Sequence, residues 1–285
     1  RTSMAGSALF ISPELLAEDG LLNDKEFNDK VRSKTKVNYQ EASRVKNILL
    51  EEAWNNFQKT ATLTLKNEFD DFIQTQAGWL HDFTLFEIIR KEQKDKSWCD
   101  WPEGLRKRIP TMLKQVELDH ENAILKVKWI QFVFFNQWKR LKSYCNSRGI
   151  QIIGDLPFYM SYDSADVWSH PEYFCLKEDG SIKGMAGVPP DYFNKEGQLW
   201  GMPVFRWDIM QQNQYDWWIT RIRKNLELYD VLRLDHFRAF VDYWEVSEGN
   251  KNAIQGCWMA GPGAEFFRIL KEKLGDHLPL IAEDL

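Results

Sequence analysis

The residues best suited to chemistry are acids that each follow a short apolar run. Asp155 ends Ile150–Leu156 (IQIIGDL), Asp235 lies in Val231–Phe240 (VLRLDHFRAF), and Glu283 and Asp284 close Leu278–Leu285 (LPLIAEDL). A short aliphatic run bounded by polar residues reads as a parallel strand, and in barrels of such strands the functional groups sit at the C-terminal ends. An acid there also commonly caps the next helix, but three at equivalent places point to a site. Two carboxylates on neighbouring strand ends can act as nucleophile and general acid/base on an acetal, about 5–5.5 Å apart when configuration is retained. Arg233, two residues before Asp235, shares its face of the strand, and its charge favours the ionised form of Asp235. A purely structural ion pair is the alternative for Arg233. His236 could hydrogen-bond a sugar hydroxyl or be a satisfied polar residue at a strand end.

Other chemistries find no pattern. There is no HExxH, GxSxG or Walker loop, Gly261-Pro262-Gly263 lacks the GxGxxG spacing, and His81, His120, His170, His236 and His277 are dispersed. No metal and no cofactor is expected. A net charge of −5 without a long Lys/Arg block argues against nucleic acid or an anionic membrane as partner. With no run of about 18 apolar residues and no charged-then-apolar leader, a soluble, cytoplasmic protein is expected. Cys99, Cys145, Cys175 and Cys257 are far apart and fit reduced thiols better than a disulfide frame. The 13 tryptophans are a high count; most are assigned to the core, though indole also stacks well on sugar rings.

The elements that carry these groups follow from periodicity. Ser12-Pro13 reads as a helix start and Gly20 as its stop, and Lys25–Gln40 as a charged, exposed segment. Val45, Ile48, Leu49 and Phe57 mark one helix, Phe69, Phe72 and Ile73 a second, and Trp79, Leu80, Phe83, Phe86 and Ile89 a third, before a turn at Trp98–Pro102. Residues 1–116 therefore read as an inserted, mainly helical subdomain. Glu117–Tyr144 has the strongest helical pattern, closed by basic residues and by Gly149 in a left-handed cap before a strand at Ile150–Gly154. Residues 117–285 read as an α/β unit, part of a (β/α)8 TIM barrel, with a long aromatic-rich loop insertion over 156–214 as the wall of a cleft. Helices at Tyr215–Leu228 and around Phe267, Leu270 and Leu274 precede the second and third strands. A closed barrel needs about eight strands. Both ends are therefore expected to be cut from a longer protein.

Five motifs are more specific than these patterns. RLDHFRAF around Asp235, IAEDL around Glu283, GDLPFYMSYDSADVWSHPEYF from Gly154, AGVPPDYFNKEGQLWGMP at 186–203 and GPGAEFF at 261–267 together closely resemble the amylomaltases, the 4-α-glucanotransferases of glycoside hydrolase family 77. The strong match runs over about Gly149–Leu285, and TSMAGSALFIS near the start resembles the segment after the second barrel strand.

The resemblance implies that the chain holds about strands three to five of the barrel. It puts Asp235 at the nucleophile and Glu283 at the general acid/base. Arg233, His236 and Asp155 fall at positions lining the catalytic subsite, and Asp191, Tyr192 and Trp200 on a loop that contacts the glucan. The implied substrates are maltooligosaccharides and α-1,4-glucans, handled by double displacement, and the missing N- and C-terminal parts of the barrel are implied partners. Met202 stands where the family has asparagine in WGNP, which bears on acceptor specificity. The family's third carboxylate, the aspartate of an HDN motif on the seventh strand, has no counterpart in this stretch, so the stretch alone is expected to be inactive. The competing readings are an α-glucan hydrolase on the related amylase barrel and a glucan-binding protein that has lost catalysis; Asp235 and Glu283 argue against the second.

Overall fold

The computed structural model describes residues 2–23 and 36–283. Residues 25–35 of the expected exposed segment, and Asp284, lie outside them. Two compact units form: residues 2–4, 89–115 and 145–283 in one, and the described residues of 5–88 with 116–144 in the other. This differs from a division at 116/117, and side chains explain why.

In the helical unit the first three helices start on a polar cap. Ser12 Oγ accepts the Leu15 N–H at 3.2 Å ahead of α1 (Pro13–Glu18), and Asn38 Oδ1 accepts that of Glu41 at 3.1 Å ahead of α2 (Tyr39–Thr60). Thr62 caps α3 (Leu63–Thr75), and α4 (Ala77–Glu92) follows. Beyond the one-turn α5 (Glu103–Arg106), the single helix expected over Glu117–Tyr144 is two, α6 (Pro110–Asp119) and α7 (Glu121–Asn146). His120 interrupts them, while its N–H still donates to Val116 O and its carbonyl accepts from Ile124. Along α7 the rings of Trp129, Phe132 and Phe135 meet Trp54 and Phe57 of α2, Phe69 and Phe72 of α3, and Trp79 of α4, with centroids 5.5–6.0 Å apart. That aromatic seam assigns most of α7 to the helical unit. Two buried amides on α7 hold the start of the unit: Gln131 pairs with both backbone groups of Gly6, and Gln137 with both of Ser12.

The other unit is α/β. Residues 89–115 join it because Trp98 Nε1 donates to Tyr162 O at 2.8 Å and the Trp101 ring packs on Trp168. Gly149, at φ 72°, ends α7 as expected, but the first strand starts later than Ile150: β1 is Ile153–Leu156. After α8 (Ala165–Ser169), the stretch expected as a loop over 156–214 contains two strands, β2 (Gly184–Val188) and β3 (Gln198–Pro203), and α9 (Trp207–Gln212). Then come α10 (Asp216–Leu228), β4 (Val231–Leu234), β5 (Asp242–Ser247), β6 (Gly256–Ala260), α11 (Gly263–Leu274) and β7 (Leu280–Ala282).

Two sheets result. The parallel one has order β1-β4-β7, with Asp155 opposite Arg233 and Arg233 opposite Ile281. The antiparallel one has order β3-β2-β5-β6. Strands of the parallel sheet are not buried on both faces, as their aliphatic runs suggest. Leu156, Leu232 and Leu234 are buried, whereas Ile153 is 62% exposed and Ile281 45%. The sheet therefore alternates like a half-covered one. Behind it Arg221 of α10 is fully buried, over the Trp218 ring at 4.6 Å, and donates to Ser3 Oγ at 2.8 Å and to the carbonyls of Phe158 and Pro157. The chain leaving β1 is thereby held. Among the described residues no helix is long and apolar enough to cross a membrane.

Candidate active site

Backbone pairing brings the acids together. Beyond the strand ends, the Asp235 N–H donates to Leu156 O and the Glu283 N–H to Leu234 O, each at 3.1 Å. The ladder thus extends one residue past β4 and aligns Asp235 with Glu283 on adjacent strand exits. His236 then turns the chain in the left-handed region (φ 48°, ψ 47°), which a residue with a Cβ enters only under local constraint. Its N–H points at Glu283 Oε2, 2.8 Å away. The following N–H, of Phe237, donates to Glu283 O at 3.2 Å.

Arg233 sits at the centre of three carboxylates. Nη1 is 2.6 Å from Asp155 Oδ1, Nη2 is 3.2 Å from Asp235 Oδ1, and Nη2 also meets Glu283 Oε1 in the shortest of the contacts. One planar guanidinium can serve them because its donors fork.

The protonation preferences are ordered by surroundings. Asp235 is raised above the usual carboxylate range, first by burial, then by the hydrogen bond and charge of Glu283, with Arg233 pulling the other way. Glu283 is lowered, first by the His236 N–H, with help from Asp235 and Arg233. The two carboxyl groups are thus shifted in opposite directions. The charge of Arg233 favours ionised Asp235, as read from the sequence, while burial and Glu283 act the other way and leave it raised. His236 is lowered mainly by burial, which keeps its imidazole neutral near pH 7.

The imidazole lies in an aromatic wall. Its centroid is 5.0 Å from that of Trp200, 6.1 Å from Tyr159 and 6.2 Å from Phe158. Trp200 Nε1 donates to Gln198 Oε1. Tyr159 escaped the sequence reading. Its hydroxyl is buried with no hydrogen-bond partner among the described residues, and burial pushes its pKa well up. The only signal was its place four residues beyond Asp155, in the segment leaving β1.

Asp155, Arg233, Asp235, His236, Glu283 and Trp200 are thus brought together. Asp191 and Tyr192 make local contacts instead. Asp191 Oδ1 accepts the N–H groups of Phe193 and Asn194 at 2.8 and 2.6 Å, holding its own turn, and that turn presents Tyr192 and Phe193 with 94% and 93% of their surfaces exposed. Among the described residues no group of three or more His, Cys, Asp or Glu side chains is arranged to hold a metal ion. The cationic charge at the three acids is supplied by Arg233.

Comparison with known proteins gives the family. The sequence profile of glycoside hydrolase family 77, described as 4-alpha-glucanotransferase, matches residues 1–285. A 4-alpha-glucanotransferase of Synechocystis sp. is 42% identical over 98% of this chain and 57% of its own, and one of Aquifex aeolicus is 42% identical over 99% and 56%. The amylomaltase of Streptococcus agalactiae, solved in complex with acarbose, superposes with a TM-score of 0.92 at 37% identity, over 99% of this chain and 57% of that one. This chain thus spans a little over half the length of these relatives. With matches of this extent, it belongs to the glycoside hydrolase family 77 of 4-alpha-glucanotransferases.

Proposed function

We propose that the protein transfers α-1,4-glucan segments between maltooligosaccharides by a retaining double displacement, with Asp235 as nucleophile and Glu283 as general acid/base. The observation that carries this is the carboxylate pair on adjacent strand exits, bridged by Arg233. Its surroundings raise Asp235 and lower Glu283. Retention calls for the two carboxyl groups about 5–5.5 Å apart with the anomeric carbon between them. With a donor sugar so placed, Glu283 carries the proton next to the glycosidic oxygen, and Asp235 faces the developing positive charge. Asp235 attacks the anomeric carbon as the C–O bond breaks, and Glu283 protonates the departing 4-hydroxyl. A β-glycosyl ester on Asp235 results. Glu283, now a carboxylate, takes the proton of an acceptor 4-hydroxyl, whose oxygen displaces Asp235 and restores the α-linkage.

Arg233 and Asp155 hold the pair in register, and the neutral His236 imidazole and the Trp200 ring form one wall of the subsite. Asp191 shapes the turn that offers Tyr192 and Phe193 as stacking surfaces, which favour a sugar acceptor over water. Met202 in place of the family's asparagine bears on acceptor choice. The three parallel strands fit adjacent strands of a (β/α)8 barrel, whose remaining strands would be the chain's structural partners and would bring the third acid. Cytoplasmic residence suits four cysteines that are all unpaired.

Product analysis on maltotriose tests the reading, with the protein at its full natural length. A ladder of longer and shorter maltooligosaccharides is expected, reduced by about 10²–10⁴-fold in Glu283→Gln and abolished in Asp235→Asn. Glucose and maltose alone would mean a hydrolase, and no product would return the reading to a glucan-binding protein.

A further inference from the structure

The contact that stands out at the site is made by the backbone. His236 is the residue in the left-handed region within the segment that joins β4 to the short helical turn Phe237–Phe240. The fold accepts that strain between two ladder bonds, Asp235 N–H to Leu156 O and Phe237 N–H to Glu283 O. Between those bonds the N–H of His236, a residue at φ 48°, reaches the side chain of Glu283 at 2.8 Å. The imidazole is engaged elsewhere, in ring contacts with Trp200, Tyr159 and Phe158. One residue thus presents two separable groups to the site.

We propose that the main-chain N–H of His236, aimed by its left-handed backbone, is a positioning group for Glu283, fixing the orientation of that carboxyl and its readiness to take a proton independently of the imidazole. The N–H favours the ionised carboxylate. Among the described residues the other titratable or charged groups facing Glu283 are Arg233 and Asp235, from β4 and its exit, and the His236 imidazole, whose charged form Glu283 favours, with Asp155 of β1 reached through Arg233; Arg238 acts on that imidazole in the opposite sense. Since Arg233 and Asp235 also lower Glu283, the N–H has to be removed without touching either. The consequence for rate rests on the glucan-transfer reading, but the contact itself does not. In transfer, the N–H strengthens Glu283 as an acid in the first step and orients the carboxylate that must act as base in the second.

The test follows the titration of Glu283 itself by 13C NMR, in the protein at its full natural length carrying 13C-labelled glutamate, with Glu283→Gln to assign the signal. Replacing residue 236 by its α-hydroxy analogue turns the amide into an ester and deletes only the N–H. His236→Gly deletes the imidazole and keeps an N–H in a backbone that tolerates positive φ. His236→Val keeps the N–H but opposes the left-handed turn. The Glu283 titration is expected to move upward in the ester and in His236→Val, and to move less in His236→Gly than in either. An unmoved titration in the ester, or a shift in His236→Gly as large as in the ester, would overturn the proposal. None of these readouts requires transfer activity, so failure here and failure of the functional reading are told apart.

Discussion

Arg233 is the residue on which the electrostatics of the site turn. Its guanidinium lowers Asp235 and Glu283 alike, although burial and the neighbouring carboxyl leave Asp235 raised overall. Arg233→Gln removes the one cation that touches all three acids. The expected result is a loss in kcat/KM of about 10²-fold or more, as for other groups that stabilise charge at a reacting centre. The direction in pH follows from the same contacts. Without Arg233 both carboxyl groups hold their protons to higher pH, so both limbs of the pH–rate profile move alkaline. An unmoved profile would mean that Arg233 only braces the strands. The presence of these residues was legible in the sequence, because acids after aliphatic runs and an arginine two residues before one of them are local features. Which acid is raised and which lowered was not legible, because that depends on burial and on a backbone N–H.

At the scale of elements, β1 depends on close packing against the end of α10. A Cβ at Gly154 would lie 2.2 Å from Cδ2 of the Tyr229 ring. Gly154→Ala therefore requires the ring or the strand to move, and overpacking of this kind costs about 1–3 kcal/mol. A lower urea midpoint is expected, with weakened activity because Asp155 is the next residue. An unchanged midpoint would show that the ring swings aside freely. Helices α2, α3 and α4 were readable because one period of about 3.6 residues recurs within each. The antiparallel sheet was not: β2 pairs with β3 and with the distant β5, and glycine-rich runs such as Gly184–Val188 carry little alternation. The fate of α7 was likewise decided by its partners, since its pattern says that one face is buried but not against which unit.

At the scale of the whole chain, a net charge of −5 and the neutral polyhydroxyl ligand proposed above predict recognition by hydrogen bonds and stacking, not by long-range attraction. Calorimetric affinity for maltohexaose is expected to change by less than about twofold between about 0.05 and about 0.5 M NaCl, where the screening length falls from roughly 14 to 4 Å. A steep decline with salt would instead signal a polyanionic ligand.

The sequence by itself determined what is local: the caps of the helices, the aliphatic runs of β1, β4 and β7, the acids that follow them, and the motifs that identify the family. Propensity, periodicity and residue type act over a few positions, so these survive without a fold. Tertiary structure decided what depends on residues distant in the chain. It set Arg233 among Asp155, Asp235 and Glu283, shifted Asp235 and Glu283 in opposite directions, brought Tyr159 and Trp200 to His236, and turned the His236 N–H toward Glu283. Burial and hydrogen-bond direction are properties of packed neighbours, and those neighbours meet only when the strands pair.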